Sequence, residues 1–247
     1  YILTKMAQEG SSFEEVLKEA QERGYAERNP EADVEGHDAC RKIAILSSLA
    51  YGAHVDYKDI YTEGITKITS TDIKYAQAIG ATIKLLATSR KVENGFCAMV
   101  SPVMINSNSP LFSVNGVFNA IFVHGNVLGD AMFYGSGAGK LPTASAVVAD
   151  VVDCAKHLHR TISVNWSSAS LDLIDIGMVT NRFFVRVSGS MAAKLADVEA
   201  AFGKVEAISL PGMDGEFAFL TELMTEADYK EKAAKVSGVI SMIRARL

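Results

Sequence analysis

The sequence has no excess of basic charge. Its 24 Lys and Arg stand against 29 Asp and Glu, a formal net charge of −5. That leaves no cationic footprint to neutralise nucleic-acid phosphates or anionic lipid. No apolar run approaches the roughly 18 residues that a membrane-spanning helix needs. No basic segment followed by an apolar stretch opens the chain as a secretory signal would. The expectation is a cytoplasmic protein that engages neither nucleic acid nor membrane. Cysteine is scarce: Cys40, Cys97 and Cys154 are far apart, odd in number and without a CxxC pair. A structural zinc or thioredoxin-type site is therefore not expected, nor any other metal, and the three read as buried, reduced thiols. With 49% hydrophobic and 21% charged residues, disorder, collagen and low complexity are excluded. A chain of 247 residues makes one large domain or two smaller ones.

Local patterns then place the elements. Ser12 and Glu15 form a capping box ahead of an apolar stripe, Phe13, Val16, Leu17 and Ala20, with Gly24 where a left-handed C-terminal cap belongs. An acid-rich loop, 25–36, leads into a helix from about Asp38 to Leu49, ended near Gly52. A short helix starts at Thr71 or Asp72 and stops at Gly80. Strands follow at 82–86 and 96–105, and a hairpin at 118–134 turns at Gly125-Asn126. A glycine cluster, 135–139, precedes a long apolar helix over 143–158 with Pro142 at its start. Residues 161–180 read as linker, with Trp166 a packing anchor. Beyond them the order strand 182–188, helix 192–202, strand 205–210, strand 217–224, helix 226–236, strand 239–246 is a ferredoxin-like βαββαβ unit. The fold expectation is α+β. It has a mixed, mostly antiparallel sheet with helices on one face over residues 1–177, followed by the small unit at 178–247.

The acid-rich loop and the helix after it carry the chemistry. Asp38 and Lys42 are four residues apart and so share a helix face. Alone, that is a solvated ion pair. The company differs: the helix continues Ile43, Ala44, Ile45, Leu46, Leu49, apolar nearly all round, which predicts burial. A lysine there, faced by loop carboxylates, would be partly desolvated and suited to proton transfer. The carboxylates could hold the ammonium group of a small substrate. A cation site made from Glu27, Asp33, Glu35 and Asp38 is the weaker reading, because their spacing fits no EF-hand. The 135–139 cluster is neither a Walker loop, since Leu141 stands where Ser or Thr must follow Gly-Lys, nor GxGxxG, since Lys140 replaces the third Gly. By itself it is a tight turn before a helix whose amides could face an anion. The five histidines show no metal spacing except His157-x-His159, near a helix end that favours them.

The pattern Ala20-x-x-x-Gly24-Tyr25-Ala26-x-x-Asn29-Pro30-x-x-Asp33-Val34-x-Gly36-x-Asp38-x-x-x-Lys42 resembles the signature of the homoserine dehydrogenases. The blocks Gly116 to Ala120 and Gly137 to Val148 resemble later parts of that family, as does Tyr1 to Met6, so the likeness covers Tyr1 to about Leu158. It implies interconversion of L-homoserine and L-aspartate 4-semialdehyde with NAD(P), in threonine, methionine and isoleucine biosynthesis. It further implies Lys42 as the proton-transferring residue, Glu27 and Asp38 as binders of the amino acid's polar groups, Tyr25 and Asp33 as pocket lining, and Gly139 beside the nicotinamide. The family has a Rossmann unit ahead of the substrate domain. A chain opening at Tyr1 reads as a fragment, a trimmed form or a processed product without it, and so as inactive by itself. The 143–158 helix would normally pack against that unit, leaving an apolar face here.

Residues 182–247 resemble an ACT domain, an amino-acid-binding regulatory module. Where that module usually has an Asp-x-Pro-Gly type turn after its first strand, this chain has Ser188-Gly-Ser-Met-Ala-Ala-Lys194. The resemblance implies a possible effector such as threonine, and a homodimer or higher homo-oligomer. The rival to an enzyme is a non-catalytic amino-acid-binding regulatory or assembly module.

Overall fold

The computed structural model describes residues 1–93 and 95–247. The helices are α1 (Ile2–Glu9), α2 (Phe13–Glu22), α3 (Glu31–Val34), α4 (His37–Tyr51), α5 (Ser70–Ala78), α6 (Lys140–Lys156), α7 (Met191–Phe202) and α8 (Glu226–Ala233). The strands are β1 (Ala53–His54), β2 (Tyr61–Thr62), β3 (Ala81–Val92), β4 (Gly95–Asn106), β5 (Phe118–Gly125), β6 (Gly129–Ser136), β7 (Ser167–Ser170), β8 (Thr180–Ser188), β9 (Val205–Ile208), β10 (Glu216–Thr221), β11 (Met224–Thr225) and β12 (Val239–Arg246).

The Ser12–Glu15 box caps α2 as expected, and a second one, Thr69 with Asp72, caps α5. Helix α1 is an addition to the expectation: no side chain caps it at Tyr1, so it lacks the usual start signal. The 161–180 linker holds the short strand β7, parallel to β1, and a 3-10 turn over Ile176–Met178.

One mixed sheet runs through the body in the order β2-β4-β12-β8-β10-β9, with β3 beside β4 and β11 beside β8. Parallel pairs join β2 to β4, with Tyr61 opposite Met99, and β12 to β4, with Arg244 opposite Val103. The other named pairs in this sheet, β3–β4, β8–β10, β9–β10, β8–β11 and β8–β12, are antiparallel. The C-terminal segment has the βαββαβ order expected of it, laid out as β12-β8-β10-β9. Its sheet is continuous with that of the preceding residues across position 178.

Alternation on each strand builds two layers. Phe183, Val185, Val187, Phe217 and Phe219 face α7 and α8. Phe184, Ala218, Leu220, Ile243 and Ala245 face the other way, toward Met6, Val16, Ile73 and Tyr75 of α1, α2 and α5. On β4, Ala98 and Val100 meet α4, while Cys97 and Met99 meet the segment at 174–179. The four phenylalanines on β8 and β10 are wholly buried, each contributing about 2–3 kcal/mol of transfer free energy. Hairpin β5–β6 forms a sheet of its own, and α6 buries none of its residues. Many apolar side chains of both, among them Phe133, Val147 and Val151, stand exposed.

Two expectations need correction. Cys40 and Cys97 are buried, but Cys154 is exposed, because it rides on α6. Helix α4 is not enclosed: Cys40, Ala44, Ser47 and Ser48 form its buried stripe, whereas Ile45, Leu46 and Leu49 are 50, 38 and 49% exposed. An apolar composition marks a face that prefers cover, and sequence spacing does not say that this chain provides it.

Candidate substrate site

Helix α2 ends in a Schellman motif. Gly24 takes φ +72°, the Tyr25 N–H donates to the Ala20 carbonyl at 2.8 Å, and the Gly24 N–H donates to the Gln21 carbonyl at 3.1 Å. The chain therefore reverses, and the Tyr25 ring packs against that of Tyr1 with centroids 5.1 Å apart. Gln21 Nε2 donates to the Glu27 carbonyl at 3.0 Å, fixing the backbone there. The Pro30 carbonyl then accepts from the Asp33 and Val34 N–H groups, each at 2.9 Å, and winds α3. Gly36, at φ +78°, joins α3 to α4. A Cβ at this position would lie 3.0 Å from Val100 Cγ1, so both conformation and space call for glycine.

This path brings Asp38 and Lys42 together. Lys42 Nζ lies 2.6 Å from Asp38 Oδ2 on the first turns of α4. Loss of water raises the Asp33 carboxyl above the ordinary aspartate range. The negative charges of Asp38 and Glu27 raise it further, and the Lys42 ammonium pulls the other way. Asp33 thus shares one field with Glu27, Asp38 and Lys42. An ammonium beside a carboxylate on an exposed helix start can pass a proton to an oxygen held next to it.

The expected desolvation of Lys42 is not found. Its side chain is 70% exposed and that of Asp38 46%, since the cover predicted for α4 is absent from this face. Glu35 Oε1 accepts from Thr66 Oγ1 at 2.8 Å. Among the described residues no trio of His, Cys, Asp or Glu is placed to hold a metal. Gly139 is the N-cap residue of α6 at φ +118°, with no side-chain cap. Gly137 beside it is packed so closely that a Cβ would strike Asn119. Among the described residues no hydrogen bond or salt bridge joins this turn to the Lys42 cluster.

Sequence reasoning missed the support under the loop. Gly64 packs so tightly on the Val34–Glu35 backbone that a Cβ would overlap it. The Ile65 N–H donates to the Val34 carbonyl at 2.7 Å. Glu63 beside them reaches Arg244 on β12 at 2.7 Å. The residues around 63 carry no periodicity that could have announced this.

The fold is α+β, with an acid-rich turn that leads into α4 and its Asp38–Lys42 pair. The family model described as homoserine dehydrogenase matches residues 1–152. A homoserine dehydrogenase of Neisseria gonorrhoeae is 37% identical over 270 residues, covering 99% of this chain and 61% of that protein. The crystal structure of a homoserine dehydrogenase from Thiobacillus denitrificans superposes with a TM-score of 0.87 at 33% identity, over 100% of this chain and 61% of that one. A hyperthermophilic archaeal homoserine dehydrogenase mutant, solved in complex with NADPH, has a TM-score of 0.50 at 28% identity, over 66% of this chain and 46% of that one. The chain belongs to the homoserine dehydrogenase family. It spans about three fifths of the length of the relatives that it matches throughout. No described helix is long and apolar enough to cross a membrane.

Proposed function

We propose that these residues form the amino-acid-binding part of an NAD(P)-dependent homoserine dehydrogenase, interconverting L-homoserine and L-aspartate 4-semialdehyde in threonine, methionine and isoleucine biosynthesis in the cytoplasm. The observation that carries the reading is the 2.6 Å Asp38–Lys42 pair, with Asp33 close enough to feel the charges of Asp38, Glu27 and Lys42. Glu27 and Asp38 hold the substrate ammonium, and Tyr25 and Asp33 line the same niche. Oxidation of the C4 alcohol removes a proton from its oxygen and a hydride from its carbon. Lys42 Nζ takes the proton, and Asp38 fixes its direction. When bound, the nicotinamide dinucleotide supplies or receives the hydride.

The residues present fit one edge of such a cofactor. Gly139 offers a turn without a Cβ, and the first amides of α6 are free of side-chain caps. The exposed apolar faces of β5–β6 and α6 suit contact with a second copy and with a nucleotide-binding unit. Residues 178–247 are read as an ACT-like regulatory module after a substrate domain at 1–177, with threonine as candidate effector. A calorimetric titration with L-threonine that gives no heat removes the effector from this reading.

The test is turnover. The purified 247-residue chain is expected to give no homoserine-dependent NADP reduction, and fusion to a dinucleotide-binding unit is expected to restore it. In the active form, Lys42→Ala lowers kcat about a thousandfold, the usual scale of a lost general acid–base. Activity of the unaided chain, or an active Lys42→Ala form, overturns the corresponding part of the reading.

A further inference from the structure

An ion network joins the C-terminal segment to Glu63, just ahead of Gly64. Arg244, on β12, is clamped from two sides. Its Nε and Nη2 donate to Glu226 Oε1 and Oε2 at 2.6 and 3.0 Å, a bidentate pair within the C-terminal segment. Its Nη1 donates to Glu63 Oε2 at 2.7 Å. The Tyr61 hydroxyl donates to the same Glu63 oxygen at 3.1 Å, and the Tyr61 ring lies 5.0 Å from the guanidinium carbon. Arg244 and Glu226 are buried, whereas the Glu63 side chain keeps a quarter of its exposure.

Glu63 is followed by the segment on which the site loop rests. The Ile65 N–H holds the Val34 carbonyl, Thr66 Oγ1 holds Glu35, and Gly64 allows the two backbones to touch. Val34 and Glu35 stand between Asp33 and Asp38. A charge fixed in the C-terminal segment is therefore connected, by hydrogen bonds and direct packing, to the turn that aims the candidate carboxylates. A rigid bidentate pair at one end and a glycine contact at the other leave little slack between them.

We propose that Glu63 is a positioning residue: held by Arg244, it sets the place of the 33–38 turn and so couples the C-terminal segment to the amino-acid site. The coupling rests on the homoserine reading only for its consequence. The positioning itself is a property of this chain.

The experiment is hydrogen exchange on the 247-residue chain followed by titration with L-homoserine. Glu63→Ala is expected to speed exchange of the 34–42 amides about tenfold while the β8 and β10 amides stay protected. Glu63→Gln, which keeps an acceptor for Arg244 and Tyr61, restores much of the protection and covers the case in which the alanine form folds poorly. Glu216→Gln weakens the separate Arg186–Glu216 pair, and should lower stability without loosening 34–42. Unchanged exchange at 34–42 in Glu63→Ala, or equal loosening by Glu216→Gln, overturns the proposal. Where the wild-type chain binds homoserine, Glu63→Ala weakens that binding about tenfold, and unaltered affinity overturns the coupling. Absence of binding by the wild type counts against the substrate reading, while the exchange result still decides the positioning role.

Discussion

Replacing Asp72 by asparagine tests whether the seam between α5 and the C-terminal strands depends on a carboxylate that accepts from four donors. Asp72 has no exposed surface, and each of its oxygens accepts two donors. Oδ2 takes the Thr69 N–H at 2.8 Å and the Thr69 hydroxyl at 2.6 Å. Oδ1 takes Arg186 Nη1 at 2.9 Å and the Ser241 hydroxyl at 2.8 Å. An asparagine of the same shape keeps one oxygen and turns an NH2 group against two donors. A hydrogen bond involving a charged group is worth about 1.5–3 kcal/mol net, and an orphaned buried donor costs about 1–3. Arg186 keeps Glu216, bonded at 3.0 and 2.7 Å, which limits the loss, and the Ser241 hydroxyl can turn elsewhere. The expected destabilisation is about 3–4 kcal/mol, a large part of the roughly 5–15 kcal/mol of a typical domain. For a chain of this size that is about 10 °C in Tm. Urea unfolding followed by circular dichroism should show an earlier midpoint at unchanged slope. A loss below about 1 kcal/mol would refute the premise that this carboxylate is irreplaceable as a four-way acceptor.

Two other outcomes are expected. Burial and neighbouring negative charge raise Asp33 above its ordinary value of 3.8, so its contribution to stability is full below 3.8 and fades as pH climbs through the raised value. Relative to wild type, Asp33→Asn should therefore gain stability across that acid window, modestly because the carboxyl keeps much of its water. Urea midpoints taken at half-unit steps of pH would check the sign. With a water-soluble maleimide under native conditions, Cys154 should react first. Cys40 should follow only on unfolding, and so should Cys97, whose thiol burial pushes up; peptide mass mapping at short times distinguishes them.

Local signals were readable where a side chain acts on its own backbone. The Ser12–Glu15 box, the Gly24 cap and the Gly125-Asn126 turn all stand where spacing placed them. The same holds for the acid-rich turn, because a Schellman cap, Pro30 and Gly36 fix its course within a few residues. What spacing could not supply is cover. The run Ile43 to Leu49 predicts an apolar helix, yet which of its faces meets protein depends on partners distant in sequence. Strands β1 and β7 are too short to show alternation, and the Ser167–Ser170 stretch has no apolar face. The buried arginines were equally hidden. Arg186 and Arg244 sit on strands whose alternation marks them as outward-facing, and only their carboxylates, more than a hundred residues away for Asp72 and Glu63, make them interior. Lys42 was placed correctly beside Asp38, while its openness to water was not foreseeable from either neighbour.

Strand β12 follows the other described strands in the chain but occupies the middle of the sheet, flanked by β4 and β8. During synthesis those two flanks must wait with unpaired edges until residue 246 has cleared the ribosomal tunnel, a period in which each is open to wrong partners. A nick or deletion within 239–246 would not trim a peripheral feature. It would part the sheet along its midline and free both halves at once.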